Sequence, residues 1–132
     1  MTNNSSQPSI IDSSALLAVI YNETGMDKAK EYFDNSYMSV INAAECLIVL
    51  TRNGMPENVA QNLLESIISK FLPCEYHDAE LIAKVKNANS TLGLSLADCT
   101  CISLGNKLGL QIITADKEWT QVESKSKIIC IR

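Results

Sequence analysis

An α/β domain built on a roughly five-stranded, mostly parallel sheet is the fold class this sequence predicts. Short apolar runs alternate with segments of helical periodicity, the order expected when parallel strands are joined by crossover helices. The 132 residues, 46% hydrophobic and 20% charged, suffice for one domain with a real core. Several carboxylates stand just after strands or at helix starts, the edge of such a sheet where ligands bind.

Residues 1–7 are polar apart from the first methionine and read as a flexible lead-in, leaving 8–132 as the domain. Ser9-Ile10-Ile11-Asp12 reads as a strand ending in a carboxylate, after which Ser13 or Ser14 caps a helix through Ile20. Asp27 to Asp34 is read as an amphipathic helix burying Ala29, Tyr32 and Phe33. Tyr37 to Ile41 forms the second strand. Asn42 then starts a helix through Leu50 whose apolar first turns contain one ionisable group, Glu45. Pro56 fits the first position of a helix to about Lys70, and Phe71 to Tyr76 is the third strand. Asp78 caps the next helix, and a polar loop from Asn87 to Gly93 leads to a helix opening at Ser95 with Asp98 in its first turn. Leu110 to Thr114 is a buried strand followed at once by Asp116, and Lys127 to Ile131 is the closing strand.

Composition narrows the chemistry. His77 is the only histidine, which excludes a histidine-rich metal site and a two-histidine ribonuclease mechanism. The five cysteines lack C-x-x-C spacing and read as small core residues. Any metal must therefore be held by oxygen. No apolar run is long enough to cross a membrane, and the polar start lacks the features of a secretion signal, so the expected location is cytoplasmic. The net charge of −4 argues against a nucleic-acid ligand, which calls for Lys and Arg. With four of the fifteen acids committed to cations, however, eleven would remain against eleven bases, and bound divalent ions would reverse the local sign.

Each acid has a structural explanation of its own. Asn42 with Glu45 and Ser95 with Asp98 both have the spacing of a capping box. Asp12 can be a strand-end turn residue and Asp116 a helix cap. Together, four acids at one end of one sheet, two with hydroxyls nearby at Ser14 and Thr114, form a cluster that is stable only with cations or protons in it. Mg²⁺ or Mn²⁺ satisfies such a site.

These segments resemble PIN-domain ribonucleases of the VapC toxin type. Ile10-Ile11-Asp12-Ser13-Ser14-Ala15-Leu16 is similar to the family's opening strand-turn motif, Leu94-Ser95-Leu96-Ala97-Asp98 to its third acidic motif, and Ile113-Thr114-Ala115-Asp116-Lys117-Glu118-Trp119 to its closing T-x-D segment. Val40-Ile41-Asn42-Ala43-Ala44-Glu45 resembles the short and loose second motif. The resemblance implies a single PIN-like domain in which Asp12, Glu45, Asp98 and Asp116 form a catalytic, metal-holding quartet supported by hydrogen bonds from Ser14 and Thr114. It also implies an Mg²⁺-dependent endoribonuclease, with Mn²⁺ as a substitute, acting as the toxin of a type II toxin-antitoxin pair. A VapB-type antitoxin and a toxin homodimer are the implied protein partners. The chemistry is consistent, because bound divalent ions can activate water and neutralise phosphoryl charge without a histidine.

Two other readings use the same residues. A receiver-type phospho-acceptor domain also gathers acids, a Thr and a Lys at one end of a sheet, but after the third strand only Asp78 is available as acceptor, and it reads better as a cap. A non-catalytic module would be marked by the loss of an acid, and none is visibly missing. Among the cations, Arg52, Lys84, Lys86 and Lys117 are candidates for RNA contact. Trp119 reads as a packing residue rather than a stacking platform, and Glu118 as a weaker candidate than Asp116 for the acid cluster.

Overall fold

The structure, a computed structural model, describes residues 7–132, so all but the last residue of the expected lead-in lies outside it. Strands β1 (Ser9–Ile11), β2 (Ser36–Ser39), β3 (Lys70–Leu72), β4 (Ile112–Thr114) and β5 (Ile128–Cys130) form one sheet in the order β3-β2-β1-β4-β5. Every pairing is parallel, with Ile10 opposite both Tyr37 and Ile112 and Thr114 opposite Cys130. The connections hold helices α1 (Ser13–Ile20), α2 (Met26–Lys30), α3 (Val40–Arg52), α4 (Glu57–Ile67), α5 (Asp78–Ala88) and α6 (Leu96–Leu108). The chain leaves β1 towards β2 and β3, then crosses back to place β4 on the other side of β1. The gap between β1 and β4 is therefore the topological switch point, where open α/β sheets bind ligands.

Alternation along the strands divides the core in two, because neighbouring side chains point to opposite faces. Ile11, Met38 and Ile113 are fully buried among Leu16, Leu50 and Leu64 of α1, α3 and α4. Ile10 and Ile112 face the other way, among Ile82, Val85, Ile102 and Trp119. Trp119 is 1% exposed, the packing role its sequence context predicts. At Gly105 a Cβ would stand 2.4 Å from Ile112, so α6 lies against β4 at a separation only glycine allows.

Several boundaries differ from the sequence reading. The segment from Asp27 to Asp34 is no continuous helix: α2 ends at Lys30, and a 3₁₀ turn spans Phe33–Asn35. Strand β2 stops at Ser39, which caps α3 by accepting from the Asn42 N–H at 3.0 Å, so the helix starts ahead of Asn42. Neither Ser13 nor Ser14 caps α1; Asp12 occupies that position without a side-chain cap bond. Pro56 is likewise a cap rather than a first-turn residue, and β3 covers only the start of the expected third strand. His77 takes the cap position of α5, while the Asp78 carboxylate accepts from the Glu75 N–H. Of the cysteines, Cys46, Cys99 and Cys101 are buried, Cys130 half-buried and Cys74 exposed. No described helix is long and apolar enough to cross a membrane.

Candidate active site

A cleft of about 410 Å³ opens at the carboxyl ends of β1 and β4, lined by Asp12, Glu45, Asp98 and Asp116 together with Ser13, Ser14, Leu17 and Val49. Each acid reaches it by a different route. Asp12 follows β1 directly, and Asp116 lies two residues beyond the end of β4 on the neighbouring strand. Glu45 projects from the second turn of α3 and Asp98 from the first turn of α6.

Local bonding fixes one oxygen of each carboxylate. Asp12 Oδ2 accepts from Ser14 Oγ at 2.5 Å and from Thr114 Oγ1 at 2.8 Å. Thr114 Oγ1 in turn accepts from the Asp116 N–H at 3.0 Å, which couples the two strand-end acids. Asp116 Oδ1 accepts from the Glu118 N–H, making Asp116 the cap of the 3₁₀ turn Lys117–Gln121. Asp98 Oδ2 accepts from the Ser95 N–H at 2.9 Å and completes a capping box. Glu45 Oε1 accepts from Ser13 Oγ at 2.7 Å. The remaining oxygens, Asp12 Oδ1, Glu45 Oε2, Asp98 Oδ1 and Asp116 Oδ2, have no hydrogen-bond partner among the described residues. Capping therefore accounts for half of the Asp98 and Asp116 carboxylates and leaves the other half free.

Beneath the acids lies a polar network with two members the sequence reading did not assign to the site, Ser13 and Asn42. Asn42 is fully buried; its Nδ2 donates to Ser13 Oγ at 3.1 Å and to the Ala97 carbonyl at 3.3 Å, and its Oδ1 accepts from Ser39 Oγ. The carboxamide thus joins the residue after Asp12, the residue before Asp98 and the start of the helix bearing Glu45. Asn42, a lone amide within Val40-Ile41-Asn42-Ala43-Ala44, was the signal available in the sequence, whereas Ser13, between Asp12 and Ser14, carried none of its own.

Burial dominates the electrostatics. Asp12 is 3% exposed, and loss of hydration raises its pKa from 3.8 to about 6, opposed by the Ser14 and Thr114 bonds and reinforced by the charges of Asp98 and Glu45. The nearby Cys46 thiol is pushed up to about 12, chiefly by burial, and stays protonated. Among the described residues no lysine, arginine or histidine lines the cleft. Arg52, Lys84, Lys86 and Lys117 all lie outside its lining, with Lys86 donating to the Leu94 carbonyl. Glu118 is exposed and contributes its backbone N–H rather than its carboxylate.

Among the described residues no group of three or more His, Cys, Asp and Glu is arranged to hold a metal ion directly. The donor set nevertheless fits a hard cation that keeps part of its water shell, as Mg²⁺ does when only one or two carboxylates reach it. All the donors are oxygen, each acid has one oxygen open, and nothing else in the lining offsets their charge.

A parallel five-stranded sheet with this strand order and four acids over its switch point defines a class of protein, and comparison with known families gives it a name. The chain belongs to the PIN domain family, whose model matches residues 9–125. Its sheet order is not the 2-1-3-4-5 order of receiver domains, and the one acid available as phospho-acceptor, Asp78, is bound to Lys107 Nζ at 2.8 Å. No curated protein matches the sequence. Among solved structures, a toxin-antitoxin complex from Klebsiella pneumoniae superposes with a TM-score of 0.70 at 14% identity, covering 94% of this chain and 98% of that one. The Mycobacterium tuberculosis toxin VapC20, described as cleaving the sarcin-ricin loop, gives 0.68 at 14% identity, covering 85% and 92%. VapBC2 from Rickettsia felis, bound to a DNA fragment from its promoter, gives 0.70 at 10% identity, covering 93% and 98%. At these identities the likeness is one of fold.

Proposed function

We propose that this protein is a divalent-cation-dependent endoribonuclease of the VapC type, the toxin of a toxin-antitoxin pair. The carrying observation is that Asp12, Glu45, Asp98 and Asp116 line one cleft with no basic side chain among its described lining residues, each with one oxygen anchored and one open. Membership of the PIN family and the fold shared with toxin-antitoxin structures support the same reading. Mg²⁺, or Mn²⁺ in its place, is the cation that suits these oxygens, and when bound it supplies charge neutralisation at the scissile phosphate and activation of water.

The chain's own residues prepare that chemistry. Ser14 and Thr114 anchor one oxygen of the Asp12 carboxylate and leave the other without a partner among the described residues, and Thr114 carries the same constraint to Asp116. Ser13 orients Glu45, and the cap at Ser95 orients Asp98. An acid whose free oxygen points into the cleft can accept a hydrogen bond from the attacking water and set its direction. The cognate antitoxin, of VapB type, would occlude this cleft, and the toxin would act as a homodimer in the cytoplasm.

The test is cleavage of RNA by the purified protein in Mg²⁺. EDTA and, separately, Asp98→Asn are each expected to abolish it, with Mn²⁺ restoring the EDTA-treated enzyme. Full cleavage under both conditions would overturn the mechanism; absence of cleavage by the unaltered protein would overturn the activity.

A further inference from the structure

A second pocket, of about 480 Å³, adjoins the acid cleft and shares Ser14, Leu17 and Val49 with it. Its remaining lining differs in character: Tyr21, Glu23, Asn53 and Arg132. Tyr21 is 39% exposed and lines the pocket together with the aliphatic Leu17 and Val49. Asn53 Nδ2 donates to the Tyr21 hydroxyl oxygen at 2.9 Å. That bond leaves the Tyr21 O–H as a donor and Asn53 Oδ1 as an acceptor, side by side at the pocket wall. Arg132 is tethered by Nη2 to Glu23 at 2.6 Å and by Nε to the Thr24 carbonyl at 3.3 Å, while Nη1 has no partner among the described residues.

We infer that this pocket is a nucleotide subsite that receives the unpaired base and phosphate next to the scissile bond of single-stranded RNA. The inference rests on the ribonuclease reading for what enters the cleft. Three observations carry it. The acid cleft has no basic side chain among its described lining residues and offers phosphate only what a bound cation supplies, whereas the adjoining pocket has Arg132, held in place by Glu23 at 2.6 Å and with one nitrogen open. An exposed aromatic ring flanked by aliphatic side chains is the surface on which an unstacked base settles. The paired donor and acceptor of Tyr21 and Asn53 can meet the polar edge of that base, so the pocket would select among nucleotides as well as bind them.

The test uses binding, so that it is independent of cleavage. In the Asp98→Asn protein, which is expected to leave the RNA intact, affinity for a short unstructured oligoribonucleotide is measured by fluorescence anisotropy. The same oligonucleotide is also used with each nucleotide in turn made abasic. One abasic position is expected to weaken binding about tenfold, the scale of losing one stacked base. Adding Tyr21→Ala should weaken the intact RNA by a similar factor and have no further effect on that abasic RNA. Tyr21→Phe should retain most of the affinity while flattening the preference among bases, as should Asn53→Ala. Equal affinity for intact and all abasic RNAs, or additive losses from Tyr21→Ala and the abasic site, would overturn the subsite and leave the pocket to some other ligand. If the subsite behaves as stated and the unaltered protein still cuts no RNA, the ribonuclease reading fails and the subsite stands.

Discussion

Asp12 is the residue on which the local physics is most sharply focused. A carboxylate buried at a strand end, beside two other acids, holds its proton up to about pH 6, whereas in the unfolded chain it releases it near 3.8. Between those values the folded state binds the proton that the unfolded state has lost, so this group's contribution to stability falls as pH rises through that window. The full cost is on the order of 3 kcal/mol. Asp12→Asn is therefore expected to raise the melting temperature at neutral pH in metal-free buffer and to flatten the decline in stability above about pH 4. A variant that melts lower than the unaltered protein at neutral pH would contradict this account of the site. The same titration bears on activity in the opposite sense. If the charged carboxylate is required, RNA cleavage should fall away on the acid side, with a midpoint that moves below about 6 as Mg²⁺ is raised because the cation favours the ionised form, and rate–pH profiles at two Mg²⁺ concentrations check it.

At the scale of elements, three helices and one strand end are joined by a single carboxamide. Asn42 bonds Ser39 at the end of β2, Ser13 at the start of α1 and the Ala97 carbonyl in the first turn of α6. Asn42→Ala would leave at least one buried hydroxyl and a carbonyl short of partners, a loss of about 1–3 kcal/mol in stability. It should also lower kcat more than it raises KM, because Glu45 and Asp98 lose their common support while the cleft walls remain. Thermal melts and steady-state cleavage check the two parts, and an unchanged kcat would reduce Asn42 to a packing residue. This junction also marks where the sequence was hardest to read. Ser39 and Asn42 are both good cap residues three positions apart, and side chain–backbone bonding of either could start α3. The choice fell to Ser39 because Asn42 is engaged across the core with α1 and α6, a long-range contact that no local pattern reports. The capping box of Ser95 and Asp98, whose partners lie three residues apart, was legible. The Asp27–Asp34 segment misled because a helical spacing of Ala29, Tyr32 and Phe33 is also met by a short helix followed by a 3₁₀ turn.

For the whole molecule, the alternation of apolar runs and helices was enough to read the parallel sheet, because a parallel neighbour requires a crossover. It could not give the strand order, since the crossing from β3 back over β1 to β4 is set by which faces α5 and α6 can cover. That order turns acids far apart in the chain into the lining of one cleft, and it concentrates negative charge in a protein that already carries −4. A divalent cation that binds there and not to the unfolded chain must then stabilise the fold by mass action, by about 2.7 kcal/mol at a hundred times its dissociation constant. For a domain of this size that corresponds to a rise of about ten degrees in melting temperature. The expected result is a concentration-dependent rise with MgCl₂ or MnCl₂ beyond that produced by NaCl at matched ionic strength. Asp98→Asn should reduce the rise, while neutralising Glu123, an exposed acid outside the cleft lining, should leave it unchanged. Equal shifts with MgCl₂ and NaCl would mean that the carboxylates share protons rather than a metal, and would favour a PIN-fold binding module over a nuclease.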